Sequence, residues 1–131
     1  MSDPSLQVQK AIVEALRNAS VAGGRIYDEA PENATFPYVT MGECQVLPDK
    51  ADCIDGAEIF PQIDVWSRAT GYPETKTIVS EVLAALDDNA ALPVDGYLVV
   101  VFEFMEVRYL RDPDGITRHG AVTFHGLLQP L

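Results

Sequence analysis

Two long apolar arms around a short break constrain this chain more than any other feature. YLVVVFEFMEVRYL (97–110) and ITRHGAVTFHGLL (116–128) flank RDPDG (111–115). Asp112-Pro113-Asp114-Gly115 sets Asp at the first position of a type I turn, Pro at the second and Gly at the fourth. Arms rich in Val, Phe and Tyr around such a turn predict a β-hairpin. At about 3.3 Å per residue the first arm reaches about 45 Å. That is longer than most strands, so part of the hairpin is expected to project beyond the body. Strict alternation places Tyr97, Val99, Val101, Met105, Val107 and Tyr109 on one face. The other face starts with Leu98, Val100, Phe102 and Phe104 and turns charged at Glu106 and Arg108.

Upstream of the hairpin the periodicity changes. Asp3 before Pro4 reads as a helix start, and Val8, Ile12, Ala15, Leu16 and Ala19 form a stripe at helical spacing. Gly23-Gly24 is the expected stop. A second helix is predicted from Tyr72-Pro73 to about Asp88, with Thr75, Ile78, Val79, Val82 and Leu86 inward and Glu74 and Glu81 outward. Between the helices lie two strands, 36–46 and 57–67. In the second, Ala57, Ile59, Ile63 and Val65 alternate with Glu58, Gln62 and Asp64. Pro61 cannot donate a ladder hydrogen bond, which predicts an edge or a bulge beside it. The order helix, strand, strand, helix, hairpin in 131 residues implies a single α+β domain, an antiparallel sheet with two helices on one face.

Charge narrows the function. The chain carries −11, whereas nucleic-acid binders grip phosphate with basic patches. Residues 96–131 hold four acids and three bases, so −10 sits in residues 1–95. A nearly neutral hairpin on an acidic body is where self-association costs least. The first residues, MSDPSLQVQK, lack the basic start and apolar core of a signal peptide, and the apolar run 97–102 is too short to span a bilayer. The expectation is a protein made in cytoplasm, without a membrane.

No catalytic set emerges, and no cofactor is implied. AGGRIYDEAP has neither the Gly-Lys-Ser/Thr ending of a phosphate loop nor a strand before it. His119 and His125 lie on one face of a strand but about 20 Å apart, too far for one metal. Cys44 and Cys53 lack metal-site spacing. Trp66, opposite in parity to its strand's core residues, is either packed under the second helix or an anchor between subunits. The segment 47–58, with Asp49, Asp52 and Asp55, is too polar to pack and too long for a tight turn, so a long connector is expected.

LQVQKAIVEAL, then GGRIYDEAPENATFPYVTMGE, then IDVWSRATGYPETKTIVSEVLAAL, then RDPDGITRHGAVTF resemble, in order and spacing, a family of phage proteins. These are the small tail-completion, or head-to-tail joining, proteins of long-tailed bacteriophages and gene-transfer particles. The resemblance covers nearly the whole chain. It implies a tail-terminator-like fold, a virion location and a ring, usually of six subunits, between tail tube and head connector. DNA would pass through it without specific binding. It brings no catalytic residues. Trp66, Val107, Arg108, Tyr109 and Arg118 are then candidates for subunit or partner contact, and Asp49, Asp52 and Asp55 for a loop facing tube or lumen. A head-side adaptor below the portal is the alternative within this class. A small acidic enzyme and a stand-alone binding module are the alternatives outside it.

Overall fold

The computed structural model describes residues 3–49, 55–87 and 92–131. The first helix, α1 (Ser5–Asn18), starts one residue later than expected, with Pro4 and not Asp3 at the cap position; Asp3 Oδ1 accepts the Ser5 N–H at 2.8 Å. The helix stops before the predicted glycines. A separate turn, Val21–Gly24, follows, in which Ala22 and Gly23 adopt left-handed φ. Glu81, expected to face outward, reaches this turn and accepts the Ala22 N–H at 3.2 Å. β1 (Ile26–Tyr27) comes next, a short strand with no counterpart in the sequence reading. It runs parallel to β2 (Tyr38–Asp49), and every other pairing in the sheet is antiparallel.

β3 (Gly56–Ser67), α2 (Pro73–Leu86), β4 (Tyr97–Arg111) and β5 (Arg118–Pro130) complete one five-stranded sheet of order β1-β2-β3-β5-β4. Its inner face carries Val39, Ile59, Ile63, Val65, Val122 and Phe124, all fully buried. Val8, Ile12 and Leu16 of α1 and Val79, Val82 and Leu86 of α2 complete the same core. Gly120 lets α2 sit close, because a Cβ there would meet Val79 Cγ2 at 3.0 Å and Thr75 Cγ2 at 3.2 Å. The expected α+β architecture, with both helices on one face, is what the chain adopts.

The hairpin forms with the expected turn but does not project. β5 lies inside the sheet and pairs with β3 from Ser67↔Arg118 to Ala57↔Leu128. Nor does β4 keep strict alternation. Its register against β5 shifts between Val99 and Val101 and again between Phe104 and Glu106. Val100 and Met105 are the extra residues, and each bulge exchanges the strand's faces. Val99 and Phe102 are therefore both buried, Phe104, Val107 and Tyr109 pack on the core, and Met105 points out at 55 % exposure. A fixed period of two had grouped Met105 with Val99, Val107 and Tyr109 and set both phenylalanines on the opposite face.

Pro61 sits in the central strand, so the sheet has no open edge there. The ladder instead accommodates it by a bulge in the facing strand, between Met41 and Cys44. The long connector is also shorter than expected. Leu47, Pro48 and Asp49 pair with Glu58, Ala57 and Gly56, so strand structure takes up both ends of the 47–58 segment.

Candidate assembly surface

With both helices on one face, no element among the described residues covers the other face of the sheet. Trp66 lies there, not under α2. It stacks on His119 with ring centres 4.0 Å apart and planes 13° from parallel, and its Nε1–H donates to Thr40 Oγ1 at 3.0 Å. His119 Nε2 is 2.6 Å from Asp64 Oδ1, which also accepts from Gln62 Nε2 at 2.8 Å. Asp64 is only 7 % exposed, and its partners make that burial tolerable. Six residues along β5, His125 is held at both ring nitrogens, by Glu58 at 2.7 Å and Glu103 at 3.3 Å. Burial draws its pKa down, but the hydrogen bonds and charges of Glu58 and Glu103 outweigh this and the net shift is upward.

The distal end of the hairpin is tied to the body by charge. Asp114 accepts the N–H groups of Ile116 and Thr117 at 2.9 and 2.8 Å and the Thr117 hydroxyl at 2.6 Å. Arg68 bridges from β3's end, donating to Thr117 Oγ1 at 3.1 Å and lying 3.8 Å from Asp114. Arg118 is buried, its guanidinium 5.6 Å from the Tyr72 ring centre. Lys76 lies 5.1 Å from the ring centre of Tyr109, whose pKa burial raises. With Arg108 and Arg111, five of the nine cations gather at this end of an acidic molecule.

The candidate contact residues thus fall into two groups. Trp66 and Arg108 lie on the helix-free side. Val107, Tyr109 and Arg118 are packed from the inner side, where they seat the hairpin on α2. Asp49 ends β2 and Asp55 is exposed, whereas Asp52 lies outside the described residues, as does Cys53. Cys44 lines an apolar groove with Leu6, Val8 and Met41. Burial, and then the Asp3 charge, raise its pKa, which makes it a poor nucleophile. Among the described residues no three His, Cys, Asp or Glu side chains converge on a metal position. Sequence parity missed the bulged side of β4, because an extra residue shows only against its partner strand.

These features define a class, a small α+β protein whose prominent surfaces are the margins and open face of one sheet. A family model described as tail completion protein gp17 matches residues 10–129, and the chain belongs to that family. The tail completion protein gp17 of Bacillus phage SPP1 is 27 % identical over 121 residues, covering 90 % of this chain and 89 % of its own length. A chain in the virion of a native gene transfer agent particle superposes with a TM-score of 0.84 at 23 % identity, over 93 % of this chain and 94 % of that one. The structure of SPP1 gp17 gives 0.57 at 22 % identity, over 93 % and 88 %. Those two likenesses establish the fold. The chain is a structural tail completion protein of a virion, not an enzyme.

Proposed function

We propose that the chain assembles into a ring of six subunits that closes the tail tube and joins it to the head connector, with DNA passing through the lumen. Its partners are copies of itself, the tail tube protein and a head-side connector or portal adaptor. The observation that carries this reading is a sheet with two unlike free margins, β1–β2 on one side and β4 on the other. Unlike margins favour head-to-tail contacts, which close into rings when the rotation allows. The charge agrees, since six copies at −11 each make −66. An acidic lumen repels phosphate and lets DNA slide, whereas a basic one would hold it. In this reading Trp66 and Arg108 contribute to contact, while Val107, Tyr109 and Arg118 hold the hairpin in place. Asp49, Asp52 and Asp55 face tube or lumen. Electron microscopy of the purified protein mixed with tail tubes or with filled capsids tests it. Rings on tube ends are expected. Binding to capsids alone would favour the head-side adaptor and overturn this assignment.

A further inference from the structure

We propose that Glu58, His125 and Glu103 form a pH-sensitive latch. In it a doubly protonated His125 ties the middle of β4 across β5 to β3, and releases it when the ring gives up a proton to solvent. The geometry is specific about protonation. Glu58 Oε2 lies 2.7 Å from Nε2 and Glu103 Oε2 lies 3.3 Å from Nδ1, so a carboxylate meets each ring nitrogen. A neutral imidazole donates from one nitrogen and presents a lone pair at the other, whereas the imidazolium donates from both. Only the imidazolium satisfies both glutamates. His119 differs. Asp64 meets its Nε2, and a single N–H, which a neutral ring has, satisfies that contact.

The latch acts on a stretch of β4 that its ladder holds in isolation. Residues 101–104 pair with Leu127, Gly126, His125 and Phe124, and the register shifts at each end, after Val99 and after Phe104. β4 is also a margin of the sheet, with β5 its one strand neighbour among the described residues. Two side chains add to these rungs. Asp87 Oδ1 accepts the Phe104 N–H at 2.8 Å, and on the helix-free side Glu103 reaches His125, directly opposite. Through the same ring the hold passes to Glu58, so three strands share one proton-dependent contact. The charged side chains around the ring, among the described residues, are acids: Glu58 on β3, Glu103 and Glu106 on β4, and Glu43 and Asp49 on β2. Arg108, on the same face, stands opposite Ala121, four residues back along β5. Loss of the proton therefore leaves Glu58 and Glu103 without their shared counter-charge. Burial opposes the charged ring, but the hydrogen bonds and charges of the two glutamates outweigh it and raise the pKa from 6.5. The stabilisation is then fully present below pH 6.5 and is lost as pH rises through the higher folded value.

Nuclear magnetic resonance on the whole chain tests the latch. Below the titration midpoint both ring nitrogens of His125 should give resonances of the protonated type. The midpoint should lie above 6.5. Glu58→Gln and Glu103→Gln, which keep the shape and remove the charge, should each lower it. Hydrogen exchange reads the release. Corrected for the intrinsic rise of exchange with pH, the amides of 101–104 should lose protection through the His125 midpoint in the wild type. In His125→Gln the same amides should show no such step. The Thr117 amide, at the hairpin tip, should show no step in either protein, which separates local release from global loosening. A midpoint at or below 6.5 would mean that the two carboxylates do not hold the ring in its charged form. Unchanged protection at 101–104 through a raised midpoint, a step that spreads to Thr117, or one that persists in His125→Gln would each overturn the latch.

Discussion

At the scale of single residues, two positions hold the surface in shape. Asp114 is the first. The hydrogen bonds from the Thr117 hydroxyl and N–H and from the Ile116 N–H, helped by Arg68, lower its pKa from 3.8 to about 2. A depressed carboxylate contributes stability that is present above its unfolded value and lost as pH falls through its folded one. The hairpin tip should therefore be unchanged from neutral pH to about 4 and loosen toward pH 2. The Thr117 amide resonance should titrate with a midpoint near 2, and Asp114→Asn should abolish that titration; a midpoint near 4 would mean the cap is not made. The second residue is Gly42, at the β2 bulge, where a Cβ would collide with the Asp64 carboxylate. Since Asp64 is held by His119 and Gln62, it cannot simply swing aside. Gly42→Ala is expected to cost about 1–3 kcal/mol, as overpacking does. Urea unfolding measures this, and a loss below about 0.5 kcal/mol, ordinary for surface changes, would show the site to be loose.

At the scale of elements, legibility followed the physics of each signal. The α1 and α2 stripes were readable because a buried helix face repeats in sequence, and Asp112 to Gly115 was readable because turn chemistry is local. β1 was not, since two residues carry no period. The bulges were not, since an extra residue betrays itself only through its partner strand. The apolar composition of β4 was therefore visible, while Val101, Phe102, Phe104 and Met105 were assigned to the wrong faces; past the second bulge the two shifts cancel, and Val107 and Tyr109 share the face of Val99 as alternation has it. The same logic makes a prediction. Deleting Met105 would remove one bulge and leave Phe104, Val107 and Tyr109 inward, because Phe104 and Glu106 already face successive residues of β5, Phe124 and Thr123. Cooperative unfolding by circular dichroism should therefore be retained. Met105→Ala, which keeps the register and changes only an exposed side chain, should stay within about 0.5 kcal/mol of wild type. Loss of cooperative unfolding on deletion, with Met105→Ala unaffected, would mean that the bulge itself is needed to seat β4.

At the scale of the whole molecule, the net charge and the local charges act in opposite directions, and salt separates them. Every subunit carries −11, so bodies approaching one another repel over distances comparable with their own size. At about 0.01 M salt the screening length is about 30 Å and that repulsion acts across the subunit. At about 0.1 M it shrinks to about 10 Å, leaving mainly the contacts between neighbouring side chains. Among those contacts, any that set Arg108 against a neighbour's carboxylate are attractive. At about 1 M, with a screening length near 3 Å, they too weaken, while apolar burial between subunits is unaffected or strengthened. Ring occupancy on tail tubes should accordingly rise from 0.01 to about 0.1 M and then level or fall slightly. The Arg108→Glu variant should behave differently. With attraction replaced by repulsion at the contact itself, its occupancy should rise monotonically with salt and approach wild type only near 1 M. Occupancy that falls steadily from the lowest salt in the wild type would mean that local attraction dominates at every distance, and the acid excess would then play no part in regulating assembly.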